Sequence, residues 1–181
     1  WMRDFGTVCE SLVKLGYDEH VHHTLSWALL HYQRAGDVTL CIDHAGNTFN
    51  APAKKSVDAL PWLLHCLVVS KYPLNKMEHR FLERQLRKYS ETFLDPVHGD
   101  LKSMHFAEMR DAVFYDRSAY LLALIGRMAK CVELLDLKGF PYQDVYYRQV
   151  LLDHYWNGEF FKADFVTDIF SAECALMPFF L

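Results

Sequence analysis

The sequence lacks a hydrophobic run long enough to cross a membrane. Its longest apolar stretches, "ALPWLLHCLVVS" and "AYLLALIG", fall short of the roughly 20 residues that a transmembrane helix needs, and no signal-peptide pattern opens the chain. Basic residues are scattered, and 19 Lys and Arg against 23 Asp and Glu give a net charge of -4. Proteins that bind a phosphate backbone concentrate positive charge on one surface. We therefore expect a soluble protein that binds neither a membrane nor nucleic acid.

Motifs for nucleotide, serine-hydrolase and metal chemistry are also missing. No glycine-rich phosphate loop, G-x-S-x-G motif or Cys–His nucleophile pattern occurs. The densest histidine cluster, "EHVHH", lacks further ligands at metal spacing, and a solvated helix face explains it better than a zinc site. The sequence thus predicts no metal and no cofactor.

The cysteines do not suggest a disulfide framework, because they are five in number and include no C-x-x-C pair. Cys9, Cys66, Cys131 and Cys174 fall in apolar helical patterns, and Cys41 falls in an apparent strand. We expect buried free thiols in a reducing cytoplasm.

Hydrophobic periodicity predicts an all-α fold of about seven helices in one domain, residues 1–181. In each predicted hairpin a broadly apolar inner helix precedes an outer helix with one apolar stripe. The inner helices are expected at 5–15, 57–71, 117–135 and 168–181, and the outer helices at 18–35, 74–93 and 143–156. The stripe of the second outer helix is expected to bury Met77, Phe81, Leu82, Tyr89 and Phe93.

An acidic residue stands at the start of each predicted inner helix. Asp4, Asp58, Asp116 and Asp168 follow one another at intervals of 54, 58 and 52 residues, the size of one helical hairpin with its loops. An aspartate in this position can cap its helix and complement the helix dipole, which contributes about 1 kcal/mol. Polar and aromatic neighbours favour a functional role for the first three.

The long connections all lie at the same end of the predicted hairpins. They cover residues 37–56, 94–115 and 157–168, and the first contains a β-hairpin around the turn "HAGN". One rim of a toroid would therefore collect these loops and the inner-helix N-termini. Functional groups concentrate on loops held by a rigid scaffold, so we place the site on this rim.

Two sets of rim residues suit a sugar. Trp1 can cover the apolar face of a pyranose while Arg3 and Asp4 bond its hydroxyls, although the latter two also fit a weak surface ion pair. Asp58 and Trp62 repeat the polar-before-aromatic order. The alternative for the second set is a helix N-terminus whose tryptophan packs in the core.

A third set lies in "KSMHFAEMRDAVFYDRSAY", where charged groups interrupt an apolar run. Asp111 has apolar neighbours, which raise the pKa of a carboxyl group and keep it protonated as a general acid requires. It could instead brace the loop through Arg110 or Arg117. Asp116 and Arg117 belong to the repeated helix start, so capping is their default role. With Glu108 and Arg110 they are further candidates for substrate contact.

Several short motifs resemble those of six-hairpin glycosidases. "W-x-R-D", "S-V-D-A-L-P-W", "M-R-D" followed by "R-S-A-Y-L-L-A-L", and "Y-W-N-G-E-F-F-K-A-D-F" occur in that order. The sequence is most similar to the amylo-α-1,6-glucosidase domain of glycogen-debranching enzymes and to glucoamylase-like and trehalase-like hydrolases. The resemblance covers nearly the whole chain. It implies an (α/α)6 barrel whose funnel binds the non-reducing end of an α-glucan and hydrolyses it with inversion.

The resemblance also implies residue roles. Arg3 and Asp4 would hold the terminal sugar, Asp58 and Trp62 would form a second sugar-binding element, and Asp111 would be the general acid. Inversion needs a second carboxylate, roughly 6.5–9.5 Å away to admit a water. We expect that base from a later hairpin, because the chain carries about three and a half of six hairpins and is expected to be a piece of a longer protein. The 181-residue piece alone is expected to be inactive.

Two alternatives remain open at this stage. A sugar epimerase or lyase on the same toroid would use rim histidines, with His65, His98 and His105 as candidates. A non-catalytic carbohydrate-binding or interaction module would instead use the exposed inner helices of a partial barrel, either to bind the rest of a parent chain or to self-associate.

Overall fold

The computed structural model describes residues 1–102, 105–107 and 113–180. The chain is mostly helical, which agrees with the expected all-α class. The helices are α1 (Met2–Lys14), α2 (Asp18–Ala35), α3 (Ala59–Val69), α4 (Lys76–Phe93), α5 (Ala119–Leu134), α6 (Asp144–Val150) with a π-helical turn (Leu151–Tyr155), and α7 (Ala172–Leu176) with a 3-10 turn (Met177–Phe180). The strands form two antiparallel pairs, β1 (Cys41–Ile42) with β2 (Thr48–Phe49) and β3 (His105–Ala107) with β4 (Phe114–Asp116).

Three predicted inner helices, α1, α3 and α5, lie side by side with α3 in the middle. Arg3 at the start of α1 contacts Asp58 at the start of α3, and Gly6 packs against Trp62 one turn further along. The indole nitrogen of Trp62 then donates a hydrogen bond to the hydroxyl of Tyr120, in the first turn of α5, at 3.2 Å. These contacts make the helices parallel and bring their N-termini to one end.

Burial follows the predicted division into inner and outer helices, with one exception at the edge. Helices α3 and α5 are buried on nearly every face, and α2 buries the predicted stripe: Val21, Leu25, Ala28, Leu29 and Tyr32. Helix α1 buries only its face toward α3, at Met2, Arg3, Gly6 and Cys9. It therefore forms the edge of the row.

The predicted stripe of α4 is wrong at its first position. Met77 is 72% exposed, whereas Glu78 beside it is buried. A capping box causes this: Asn75 Oδ1 accepts hydrogen bonds from the amides of Met77 and Glu78, and Glu78 Oε2 accepts one from the Asn75 amide at 2.8 Å. The hydroxyl of Tyr72 donates to the other carboxylate oxygen at 3.2 Å, so the buried acid is satisfied.

The last predicted inner helix is also shorter than expected. Helix α7 begins at Ala172 rather than at 168, so Asp168 is not its cap. The carboxylate of Asp168 instead accepts a hydrogen bond from the side-chain amide of Asn157 at 2.8 Å, within the loop that precedes the helix.

The first predicted β-hairpin is confirmed by the pairing of β1 with β2. The amide of Asp43 donates to the Asn47 carbonyl, and Asp43 Oδ1 accepts from the amides of Ala45 and Asn47, which closes the turn. Strands β3 and β4 were not predicted.

All five cysteines are free and buried, as the sequence predicts. Within the ranges that the structure describes, none of the helices combines the length and hydrophobicity needed to span a bilayer.

Candidate functional site

We define the rim as the N-terminal ends of α1, α3 and α5 together with the loops that pack on them. The amide of Met2 donates to the Leu40 carbonyl at 2.7 Å, which fixes the loop 37–56 against α1. The amide of Ala119 donates to the Ala163 carbonyl at 3.1 Å, which fixes the loop after α6 against α5. The predicted meeting of long loops and inner-helix N-termini is therefore present.

A buried ion pair joins two sets of rim residues that the sequence kept separate. Arg3 Nε lies 2.5 Å from Asp58 Oδ2, and the two side chains are 9% and 2% exposed. The hydroxyl of Ser56 donates to the other carboxylate oxygen, Asp58 Oδ1, at 2.5 Å. Both oxygens of Asp58 are thus engaged, and the starts of α1 and α3 are tied together.

Loop residues close over this pair. The space beside it is only about 10 Å³, between the two side chains and the segment 50–55. That volume holds about one water molecule. A sugar could reach the pair only after a movement of this segment, so in this structure the pair acts as a brace.

The predicted set of Trp1, Arg3 and Asp4 is not brought together. Arg3 is directed toward α3, whereas Trp1 is 58% exposed and lines a groove of about 190 Å³ between α1 and α2, beside Trp27. Asp4 is exposed in the first turn of α1. Asp4 therefore remains open to a ligand at the rim, while Trp1 faces another surface.

Trp62 occupies the core rather than the surface of the site. It is 1% exposed, and a Cβ added at Gly6 would lie 2.6 Å from its Cε3 atom. Its ring also packs edge-to-face on His65, with centroids 5.6 Å apart. The position of Trp62 corrects the prediction that it stacks on a sugar and supports the packing alternative.

Asp116 and Arg117 brace the start of α5. Arg117 Nε lies 3.6 Å from Asp116 Oδ2, and the guanidinium carbon lies 3.5 Å from the centroid of the Phe165 ring. The amide of Asp116 donates to Asp164 Oδ2 at 2.8 Å, and the hydroxyl of Tyr155 donates to the Arg117 carbonyl. These contacts explain how Arg117 is held with a φ of 46°.

At α3 and α5, serine hydroxyls rather than aspartate carboxylates accept hydrogen bonds from amides of the first turn. The Ser56 hydroxyl accepts a hydrogen bond from the Ala59 amide at 3.1 Å, and the Ser118 hydroxyl accepts one from the Leu121 amide at 3.4 Å. Asp58 occupies the N-cap position of α3 as predicted, but its carboxylate accepts no amide of that helix, whereas the N-cap of α5 is Ser118 rather than Asp116. Asp4 lies in the first turn of α1, where its charge complements the helix dipole.

Glu108, Arg110 and Asp111 lie outside the described residues, so their predicted roles stay predictions. Their neighbours in the chain are on the rim: Ala107 at the end of β3 pairs with Phe114 at the start of β4. Strand β4 leads directly into α5.

A buried histidine lies two turns below the rim. His65 Nδ1 accepts a hydrogen bond from Arg127 Nε at 3.3 Å, and burial, followed by the charge of Arg127, lowers the pKa of His65 to about 4. The carboxylate of Glu10 belongs to the same layer; its ion pair with Lys14 contributes most to lowering its pKa, and His65 and Arg127 add to the effect. A buried neutral histidine is poorly placed for the proton transfer that an epimerase or lyase would need.

Neither a metal-ligand cluster nor a similarity to a known protein assigns a function to this chain. Among the described residues, no three or more His, Cys, Asp or Glu side chains are grouped to hold a metal ion. The chain matches no protein-family model, no curated protein and no solved structure. Function therefore has to be argued from the rim and from the motifs.

Proposed function

We propose that the protein is an inverting glycoside hydrolase that acts on α-glucosidic linkages of an α-glucan or oligosaccharide. Its fold would be an (α/α)6 toroid to which the described hairpins contribute one part. The cytoplasmic location and the completion of the barrel by further chain are parts of the same proposal.

The observation that carries the proposal is the joining of Arg3 to Asp58 at the rim. In the glycosidases that the motifs resemble, an Arg-Asp pair holds the terminal sugar and corresponds to Arg3 and Asp4, while a D-A-x-x-W element corresponds to Asp58 and Trp62. Here Arg3 of the first element and Asp58 of the second lie 2.5 Å apart, although they are 55 positions apart in the chain, so the two elements adjoin at the rim. Asp4, the residue after Arg3 in α1, is exposed and would accept hydrogen bonds from sugar hydroxyls.

Asp111 would donate the proton to the leaving glycosidic oxygen. The strands β3 and β4, which precede and follow Asp111 in the chain, pair with each other, and β4 leads into α5. A water, activated by a carboxylate from another part of the protein, would attack the opposite face of the sugar.

The test is the substitution Asp111→Asn in the full-length protein, with hydrolysis of a branched α-glucan as the readout. Loss of the general acid should lower kcat by about 10²–10⁴-fold. Asp136→Asn is the matched control, because Asp136 is exposed after α5 and its left-handed backbone suits asparagine.

NMR of the first product adds an independent measurement, because inversion at an α-linkage releases the β-anomer. Hydrolysis at a normal rate in Asp111→Asn would remove Asp111 from the mechanism. Release of the α-anomer would contradict inversion, and inactivity of the unsubstituted full-length protein toward α-glucans would contradict the proposed substrate class.

A further inference from the structure

A second cavity opens between the loop 37–56, the start of α3 and the last turns of α4, and it shares Asn50, Lys55 and Ser56 with the small space beside the Arg3–Asp58 pair. Its volume is about 200 Å³. Ligand pockets for drug-sized molecules span about 300–1,000 Å³, so this cavity suits a single sugar ring rather than an oligosaccharide.

The mouth of the cavity is positively charged. Three lysines and one aspartate line it, and Asp37 is already paired with Lys88 at 2.9 Å. Lys54 and Lys55 are exposed and form no salt bridge with a carboxylate in the described part of the chain. The ammonium groups of these two consecutive residues are therefore available for an anionic ligand.

The loop that carries these lysines is fixed in place. The side-chain amide of Asn50 donates to the Lys54 carbonyl at 3.3 Å, and Asn50 Oδ1 accepts from the Leu40 amide at 2.8 Å. A site whose backbone is already ordered loses less conformational entropy on binding.

The floor of the cavity is aromatic and apolar. The rings of Tyr89 and Phe93 lie 4.9 Å apart, and Leu60 completes the surface. Tyr89 and Phe93 are mostly buried, at 4% and 7% exposure, and only a small part of each ring borders the cavity. The hydroxyl of Tyr89 is occupied by a hydrogen bond to the Val57 carbonyl at 2.8 Å, so ring atoms, rather than the hydroxyl, are what a ligand could contact. The apolar face of a pyranose fits such a surface, and Thr92 and Gln85 supply polar groups at the walls.

We propose that this cavity binds a phosphorylated monosaccharide, with the phosphate on Lys54 and Lys55 and the sugar ring over Tyr89 and Phe93. The phosphate explains the two lysines without a salt bridge, and the ring explains the floor. Neither Arg3 nor Asp58 lines the cavity, so the proposal does not depend on hydrolase activity.

The experiment is isothermal titration calorimetry of the protein with glucose 6-phosphate, glucose and inorganic phosphate. Glucose 6-phosphate should bind more tightly than either fragment. The double substitution Lys54→Gln/Lys55→Gln should weaken it about tenfold or more, because charged hydrogen bonds are lost. Both lysines are exposed, so the fold should tolerate the change.

The matched control is Lys71→Gln/Lys76→Gln, which removes two exposed charges at the α3–α4 connection, the opposite end of both helices. This control should leave binding unchanged. An equal loss in both double variants would show general attraction of anions and overturn the proposal. Failure of glucose 6-phosphate to bind, or binding of inorganic phosphate with equal affinity, would also overturn it.

Discussion

Arg3 Nε and Asp58 Oδ2 lie 2.5 Å apart in a nearly dry environment at the junction of α1 and α3. Removing one partner of a buried ion pair leaves an uncompensated charge, which is costly, whereas exposed pairs contribute little. Loss of this contact should therefore lower the free energy of unfolding, whatever the activity of the protein.

Asp58→Ala should lower the free energy of unfolding by about 3–5 kcal/mol, measured by urea denaturation. Lys138→Ala breaks the exposed Lys138–Asp136 pair and should leave the free energy of unfolding nearly unchanged, because water screens an exposed pair. Equal losses for the two variants would mean that the Arg3–Asp58 pair is not a brace.

Gly6→Ala should destabilise the protein, although alanine is normally the better helix former by about 1 kcal/mol. The added Cβ would lie 2.6 Å from Trp62 Cε3, and overpacking of this kind costs about 1–3 kcal/mol. Thermal unfolding followed by circular dichroism measures the effect. Ser11→Ala on the exposed face of α1 is the control and should be near neutral. A stabilised Gly6→Ala variant would contradict the close packing of α1 on α3.

Stability should fall between pH 6.5 and 4 because of His65. Its pKa is lowered to about 4 in the folded protein from an ordinary value of 6.5, so the unfolded chain binds the proton more readily in this range. The contribution is complete above pH 6.5 and decreases as the pH falls, by up to about 3 kcal/mol. Urea denaturation at several pH values measures the slope.

His65→Gln removes this titration while keeping a side-chain acceptor for Arg127, so its slope between pH 6.5 and 5 should be shallower. His20→Gln, on the exposed face of α2, should keep the slope of the unsubstituted protein. The same slope in all three proteins would exclude His65 as its source.

Cys41 should be the first of the five buried cysteines to react with a thiol reagent. It lies in a two-residue strand of a rim loop, whereas the other four lie in helices. Loops open locally at a lower free energy than packed helices. Labelling in mild denaturant, followed by peptide mass analysis, should find Cys41 modified first, and Cys41→Ser should abolish the fastest phase. Earlier modification of Cys66 would show instead that the helical row opens before the loop.

Periodicity predicted which face of each helix is buried where the pattern is long. The stripe of α2 is buried at all five expected positions, and α3 and α5 are buried on nearly every face. Prediction failed where a local hydrogen bond competed with hydrophobicity, as in the capping box that buries Glu78 and exposes Met77. Helix boundaries were shifted for the same reason, since Ser118 accepts an amide in the first turn of α5.

The sequence predicted which residues lie at the rim, but it did not predict which of their side chains contact one another. The sequence grouped Arg3 with Trp1, whereas the structure pairs it with Asp58 and turns Trp1 toward α2. Periodicity defines a face on one helix, but it does not specify the register between helices that are more than 50 residues apart. The cavity beside Lys54 could not be predicted either, because it forms where a loop meets α4.

Arg3, Gly6 and Cys9 are buried on the face of α1 toward α3, and their spacing limits the changes in length that the helix can tolerate. A helix turns by about 100° per residue. One residue inserted or deleted between Arg3 and Cys9 would rotate one part of α1 away from α3 while the other part stayed in place. The first two turns of α1 should therefore accept many substitutions on their exposed side but no change in length.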